Sequence, residues 1–135
     1  MSLFKKPANT NAQTPSISYP VEVAYWKDFY ESISHLLADA GVDLNTLRGS
    51  GHFNCKLILD IENEQDPNAV KVYAAPTGRS KTYYEIGYVP SDYTLLIRPD
   101  IKKVVSGSHY WSIRWYFDVK KGLELSIYLN ESKFK

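Results

Sequence analysis

Apolar and polar residues alternate in six short stretches of the chain, the pattern of β-strands with one buried face. The first predicted strand begins near Pro20 and carries Val21 and Val23 on one face. The five later strands are bounded by residues that favour turns and cover residues 53–61, 69–74, 83–89, 110–119 and 123–129. Lys120, Lys121 and Gly122 form a short turn that predicts a hairpin between the last two strands.

Two helices and one loop are predicted between these strands. Apolar residues at helical spacing run from Trp26 to Ala40, and Gly41 follows as a C-terminal cap. A second, short helix is predicted over residues 91–97, capped by Ser91 and ended by Pro99. Residues 42–51 are predicted to be a loop because Gly-Ser-Gly at 49–51 is a strong breaker.

These elements predict one α+β domain that is mostly β. Short connections and strict alternation favour antiparallel pairing, so we expect a six-stranded OB-like barrel or curled sheet with one longer and one short helix. The domain is expected over residues 17–130. Residues 1–16 are rich in Asn, Thr, Gln, Ser and Pro and are predicted to be a flexible tail, and residues 131–135 a short C-terminal tail.

Strand 53–61 alternates clearly, and its apolar side is expected to be buried. Its members are Phe53, Cys55, Leu57, Leu59 and Ile61. Cys55 is the one cysteine of the chain, which excludes an internal disulfide and a cysteine-based zinc cluster. We expect it to be a buried small hydrophobic residue.

Composition limits the partners of the chain. Sixteen Lys and Arg against fifteen Asp and Glu give a net charge of +1, too small for a strongly basic, non-specific nucleic-acid coat. No apolar run reaches the length of a membrane span, so a soluble cytoplasmic protein without a membrane partner is expected. Aromatic residues are in excess, with 11 Tyr, 5 Phe and 3 Trp. The tyrosines can belong to the core, to the barrel exterior or to a binding surface.

Candidate chemistry is sparse. There is no phosphate-binding loop, dinucleotide fingerprint, nucleophile elbow or metalloprotease motif, so no catalysis and no cofactor are expected. Four carboxylates alternate and would share a face on an extended chain: Asp60, Glu62, Glu64 and Asp66. Such a face suits a hard metal and a metal-dependent nuclease, but a solvated strand face is the favoured interpretation. Three histidines are far apart and have no metal-ligand spacing: His35, His52 and His109.

The segment from Leu57 to Asp92 carries the most informative motif. A strand leads into an Asn- and Asp-rich turn, then an apolar strand, an Ile-Gly-Tyr-Val-Pro step and a short predicted helix. This order resembles the HIRAN domain, in its standalone or prokaryotic and phage-like form, over roughly residues 19–130. The matching positions are Asn63, Asp66, Asn68, Ala69, Val70, Val72, Ile86, Gly87 and Val89. The local chemistry alone makes residues 66–68 a tight turn and Gly87 a bulge or a close approach of backbone or ligand.

The resemblance implies binding without catalysis. HIRAN domains of fork-remodelling, helicase-like ATPases capture the 3′ end of single-stranded DNA on an OB-like barrel, so this chain is expected to bind single-stranded DNA or DNA ends in the setting of DNA repair. Side chains of the turn would shape the pocket and hydrogen-bond the terminal nucleotide: Asn63, Asp66 and Asn68. The proline–aromatic pair of that family is replaced here by Glu64 and Gln65, so stacking would fall to Tyr25, Trp26 or Tyr88.

Two cations are expected to neutralise phosphates, Lys71 and Arg114. Tyr110, Arg114 and Tyr116 share the polar face of predicted strand 110–119, and a cation between aromatic rings suits a single-strand binding surface. The same residues suit an ordinary barrel exterior. A protein–protein adaptor with the same barrel and a vestigial DNA pocket is the alternative function, favoured by the acidic loop at residues 62–65.

Overall fold

The structure, a computed structural model, describes residues 17–45, 48–78 and 82–133. The predicted tail at residues 1–16 lies outside the described residues, as do the last two residues of the predicted C-terminal tail. The strands are β1 Val21–Glu22, β2 Arg48–Leu59, β3 Val70–Ala75, β4 Tyr84–Tyr88, β5 His109–Asp118 and β6 Gly122–Glu131. The helices are α1 Tyr30–Asp39, entered through a 3₁₀ turn at Trp26–Phe29, and α2 Arg98–Val105, which follows a 3₁₀ turn at Ser91–Tyr93.

The six strands form one antiparallel sheet in the order β1-β6-β5-β2-β3-β4. This confirms the predicted mostly-β class: the sheet curls into a half-barrel, and two helices accompany it. Its edges meet at one bridge, where Ala24 and Tyr88 exchange backbone hydrogen bonds of 2.8 and 2.9 Å. The segment that leaves β1 therefore contacts β6 on one side and β4 on the other.

The core lies between the inner face of the curled sheet and α1. Alternate residues of each long strand point inward, and α1 adds Ile33, Leu36 and Leu37 at helical spacing. The largest fully buried side chains from the sheet are Phe53, Ile86, Ile113, Leu125 and Ile127. At about 25 cal/mol per Å² of apolar surface removed from water, burial of this set is the main stabilising contribution. Among the described residues, neither helix is long and apolar enough to cross a membrane.

The predicted loop at residues 42–51 is wrong in its second half, because β2 begins at Arg48 and includes Gly49 and Gly51. These glycines make room for the indole of Trp115 on neighbouring β5. A Cβ at Gly51 would lie 2.7 Å from Trp115 Nε1, and one at Gly49 would lie 3.3 Å from the same ring. Glycine is therefore present here because a large ring lies over the strand, and the strand continues through it.

The far end of β2 also differs from the prediction. The strand ends at Leu59, where the side chain is 38 % exposed, and Ile61 is 77 % exposed. Both were expected on the buried face. The chain turns at this point, with the amide of Asn63 donating to the carbonyl of Asp60 at 3.1 Å. Alternate residues beyond Leu59 therefore no longer point to one face of the sheet. The four alternating carboxylates consequently do not line one strand.

The helix predicted at residues 91–97 is a 3₁₀ turn and further turns, and the true helix is α2. Pro99 does not stop a helix but lies in the first turn of α2, where its missing N–H has no partner to lose. At the first strand, only Val21–Glu22 pairs as a strand, because Tyr25 takes the left-handed conformation with φ 61° and turns the chain into the helical segment. At the other end, β6 extends one residue into the predicted tail.

Candidate nucleic-acid interface

Three segments that are far apart in the sequence line one cleft of about 280 Å³. They are the segment after β1, which contributes Tyr25, the turn after β2, which we call the floor, and the end of β4 with the residues that follow it. The lining residues are Tyr25, Asn63, Gln65, Asp66, Ala69, Tyr88, Val89 and Ser91. We call this site the Tyr25–Tyr88 cleft. Four of the nine predicted site residues meet here: Tyr25, Asn63, Asp66 and Tyr88.

Side-chain-to-backbone hydrogen bonds hold the turn that forms the floor. Asn63 Oδ1 accepts from the amides of Gln65 at 3.0 Å and Asp66 at 2.9 Å. Asp66 Oδ1 accepts from the amide of Asn68 at 3.0 Å. Asn and Asp suit this turn because their short side chains replace backbone acceptors. Within the described part of the chain, Oδ2 of Asp66 has no hydrogen-bond partner.

Aromatic rings form the wall of the cleft. The rings of Tyr25 and Tyr88 meet edge to face, with centroids 6.5 Å apart and an interplanar angle of 81°. Phe29 packs against the other side of Tyr88 at 6.0 Å. The Tyr25 side chain is 65 % exposed, so one phenol ring of the pair is accessible to a planar ligand while Tyr88 is held in place.

Gly87 allows β4 to approach the segment before Tyr25 closely. A Cβ at this position would lie 2.5 Å from the carbonyl oxygen of Ala24 and 2.6 Å from Val23 Cγ1. The glycine also has φ 152°, and the register of β3 and β4 shifts beside it, between Val72 and Tyr73. Both physical interpretations of Gly87 are thus confirmed, since the strand bulges and backbone approaches closely.

Electrostatics around the cleft are mixed. Asp60 Oδ2 accepts hydrogen bonds from Tyr88 Oη at 3.1 Å and from Asn63 Nδ2 at 3.3 Å. Burial, followed by this hydrogen bond, raises the pKa of Tyr88 above its ordinary value. Lys71 lies directly opposite Tyr88 in the sheet, and its Nζ is 3.7 Å from Glu85 Oε2. Burial lowers the pKa of Lys71, but Glu85 and other nearby groups outweigh burial and raise the pKa overall.

The remaining predicted site residues lie elsewhere. Trp26 is half-buried against the core at the start of the helical segment, and the exposed Asn68 uses its backbone amide to close the turn. Arg114 and Tyr116 lie on β5, on the face of the sheet directed away from the core. Lys71 does not line the cleft but lies next to it through its pairing with Tyr88.

Asp60, which the sequence predicts on a candidate metal face, belongs to this site instead. Asp60 binds Tyr88 and Asn63 at once, and so joins the turn to β4. The spacing of three residues between Asp60 and Asn63 is compatible with a turn. That spacing is the one feature of the sequence that indicates this role of Asp60. Among the residues that the structure describes, no group of three or more His, Cys, Asp or Glu side chains could hold a metal ion.

A second cleft lies at another place in the fold. It measures about 480 Å³ and is lined by residues that include His52, Pro76, Thr77 and Trp115. Of the three histidines, His52 and His35 are exposed, and His109 shares a hydrogen bond of 2.8 Å between its Nδ1 and Ser108 Oγ. Asp39 also lines this cleft, and its Oδ2 accepts a hydrogen bond of 2.9 Å from the Tyr84 hydroxyl.

Comparison with protein families, with curated protein sequences and with solved structures found no match to this chain.

Proposed function

We propose that this protein is a non-catalytic module that binds single-stranded DNA at its 3′ end, with the terminal nucleotide in the Tyr25–Tyr88 cleft. The proposal is supported by one observation above all: residues 25, 63, 66 and 88, chosen from the sequence for this role, line a single cleft. An intracellular location, where DNA is found, belongs to the same proposal, as does the resemblance to the HIRAN domain.

The chemistry of the cleft fits an unpaired nucleotide. Stacking of a base on an aromatic side chain contributes about 1–3 kcal/mol and tolerates any base, and Tyr25 offers an exposed ring for it. The floor offers polar side chains of the turn, among them the Asp66 carboxylate. A carboxylate accepts a hydrogen bond from a sugar hydroxyl, which is what a free 3′ end presents.

The carboxylates of Asp60 and Asp66 restrict which strand ends can bind. Asp60 and Asp66 disfavour a phosphate in the cleft, because like charges at short range repel each other. We therefore expect a strand with a free 3′ hydroxyl to bind more tightly than the same strand with a 3′ phosphate. Lys71, which lies opposite Tyr88 in the sheet, would exchange its ion pair with Glu85 for the phosphate that links the last two nucleotides.

A fluorescence anisotropy titration tests this proposal. Labelled single-stranded DNA with a 3′ hydroxyl is compared with the 3′-phosphorylated strand, at low and moderate salt, for the wild type and for Tyr25→Ala and Asp66→Asn. The asparagine retains an acceptor for the Asn68 amide, so the turn is kept while the charge is removed. We expect Tyr25→Ala to weaken binding by about 5- to 100-fold and Asp66→Asn to reduce the discrimination between the two strands.

Matched controls are available on α1. Tyr30 is 71 % exposed, close to the 65 % of Tyr25, and Glu31 is an exposed carboxylate. Tyr30→Ala and Glu31→Gln are expected to bind as the wild type does. Absence of binding at low salt, or equal binding of both strands by every variant, would overturn the proposal.

A protein–protein adaptor is the second candidate, and one observation favours it. Three large apolar residues beside the cleft are exposed: Ile58 at 46 %, Leu59 at 38 % and Ile61 at 77 %. Exposed apolar side chains at the end of a strand and in the turn after it favour a partner protein over water. Failure of DNA binding by a folded protein, together with retention of a cellular partner by the wild type and its loss in Ile61→Asp, would select this function.

A further inference from the structure

The outer face of the sheet, directed away from the core, carries tyrosines and cations in adjacent rows. Residues directly opposite each other in paired strands share a face. On this face Arg114 of β5 lies between His52 of β2 and Ser126 of β6, and Ser112 lies between Asn54 and Tyr128. Tyr110 and Tyr116 continue the β5 row at either end, 52 % and 37 % exposed.

Arg114 lines a depression on this face. Its guanidinium carbon lies 4.9 Å from the centroid of the Tyr128 ring, a cation–π arrangement that holds the side chain in place. Among the described residues, no carboxylate lies within ion-pair distance of it. The side chain is exposed, so its charge is available to an anion.

The lining of this depression is complementary to a phosphate chain with unpaired bases. Its volume is about 340 Å³, and the described residues that line it include no Asp or Glu. Two amide side chains also line it: Asn130 Nδ2 donates to Ser112 Oγ at 2.9 Å, and Asn54 Nδ2 donates to the carbonyl of Pro76 at 3.4 Å. Stacking surfaces and a cation without competing carboxylates are what a single-stranded nucleic acid requires.

Two further cations connect this depression with the Tyr25–Tyr88 cleft along the same face. Lys56 of β2 lies opposite Tyr73, and its Nζ is 4.1 Å from the centroid of the Tyr83 ring. Lys71 follows, opposite both Ile58 and Tyr88. The seven steps along β2 from His52, which lies opposite Arg114, to Leu59 cover about 23 Å at about 3.3–3.4 Å per residue, so a strand held at the cleft must extend over several nucleotides to reach Arg114.

We infer that single-stranded DNA runs from the Tyr25–Tyr88 cleft across the outer face, past Lys71 and Lys56, to the Arg114–Tyr128 depression. This inference rests on the proposed function for the position of the strand end. The Arg114 depression binds the strand interior through phosphate and base contacts, independently of which end is free. Affinity consequently grows with strand length until the strand reaches Arg114.

The test is a length series of single-stranded DNA in anisotropy titrations at several salt concentrations. Strands of about 4 and about 16 nucleotides span the usual range for one small barrel. For Arg114→Gln we expect about tenfold weaker binding of the long strand, the usual effect of losing one charge-assisted hydrogen bond, and no more than about a twofold change for the short one. The slope of log affinity against log salt for the long strand should fall by about 0.7, the value for one single-strand phosphate.

Two variants make the comparison specific. Arg114→Lys keeps the charge and should retain the salt slope. Lys102→Gln removes an exposed cation on α2, away from the outer face, and should leave both strands unaffected. Thermal unfolding of each variant shows whether the fold is retained, which we expect because the substituted side chains are exposed.

The outcomes distinguish the inference about the outer face from the assignment of the 3′ end to the Tyr25–Tyr88 cleft. Equal effects of Arg114→Gln on both lengths, or none on either, would overturn the inference while a preference for the 3′ hydroxyl still supports the cleft. Loss of that preference with a persistent effect on the long strand would overturn the cleft and support the outer face. Tighter binding of RNA of the same sequence and length would overturn the assignment to DNA.

Discussion

The phenol of Tyr88 donates a hydrogen bond to Asp60 across 3.1 Å and thereby joins β4 to the turn that follows β2. The same carboxylate oxygen accepts from Asn63 at 3.3 Å. One acceptor thus fixes both the wall and the floor of the Tyr25–Tyr88 cleft. The cleft therefore has a defined shape before any ligand enters it, which reduces the entropic cost of binding.

Replacement of Tyr88 by phenylalanine tests this link. The ring keeps its packing against Tyr25 and Phe29, while the hydrogen bond to Asp60 is lost. Because the site is partly exposed, we expect the free energy of unfolding to fall by about 0.5–1.5 kcal/mol in urea denaturation. Tyr84→Phe is the matched control, since Tyr84 donates to Asp39 at 2.9 Å at an exposed site, and its loss should be smaller. An equal or larger loss in the control would contradict the account.

Gly87→Ala should destabilise the fold strongly. The new methyl group would lie 2.5 Å from the carbonyl oxygen of Ala24, and alanine tolerates φ 152° poorly. Overpacking and backbone strain each cost about 1–3 kcal/mol, so we expect a loss of about 2–5 kcal/mol in the free energy of unfolding.

Gly122→Ala separates the two causes. Gly122 has φ 89° at the hairpin turn, but a Cβ there meets nothing within 4 Å. Only the conformational cost applies, about 1 kcal/mol. If both variants lost the same stability in chemical denaturation, the close approach of Ala24 to Gly87 would not be the cause.

Much of the fold could be predicted because alternation in strands such as β5 reflects burial directly. The errors arose where a neighbour in space decided the local structure. Gly49 and Gly51 are typical loop residues, but the Trp115 ring lies over them, and that pairing is set by a strand more than sixty residues away in the sequence. Pro99 is compatible with the end of one helix and with the start of another, and the sequence alone did not distinguish them.

Stability above pH 10 should depend on Tyr19. Burial, followed by a hydrogen bond of 2.8 Å to Asp100, raises the pKa of Tyr19 above its ordinary value of 10.0. Below about pH 10 the phenol is protonated in both states, and its stabilising contribution is complete. Above that pH the unfolded chain loses the proton first, so the free energy of unfolding falls as the pH rises toward the raised pKa.

Urea denaturation at a series of alkaline pH values checks this sign. Tyr19→Phe cannot ionise, and its stability should fall less steeply above about pH 10 than that of the wild type. Tyr110→Phe, at a position that is 52 % exposed, serves as the control and should follow the wild type. Parallel curves for the wild type and Tyr19→Phe would contradict the role assigned to the Tyr19–Asp100 pair.

The thiol of Cys55 should be inert in the folded protein. The residue is buried on the inner face of β2 with 9 % exposure, as the sequence predicted, and burial raises the pKa of its thiol. Because small folded domains open globally in a fraction of about 10⁻³ or less, a thiol reagent should react at least about 1,000-fold more slowly in buffer than in denaturant. Similar rates in the two conditions would show that β2 opens locally.

The candidate site was predictable in part. Tyr25, Asn63, Asp66 and Tyr88 were selected from the sequence and do line one cleft, because the turn motif and the glycine step have strong local signals. The role of Asp60 was not predictable, since it depends on the pairing of β3 with β4 that brings Tyr88 across. Arg114 and Tyr116 were placed correctly on a polar strand face, but their distance from the cleft follows from strand order, which the sequence does not contain.

Two-dimensional NMR of the labelled protein during titration with single-stranded DNA tests the central claim most directly. We expect the amides of Gln65, Asp66 and Ala69, which form the floor of the cleft, to shift with a strand that has a free 3′ hydroxyl. The same strand with a 3′ phosphate should shift them less at equal concentration. Unchanged amides in this turn, or equal shifts with both strands, would contradict the assignment of the Tyr25–Tyr88 cleft to the DNA end.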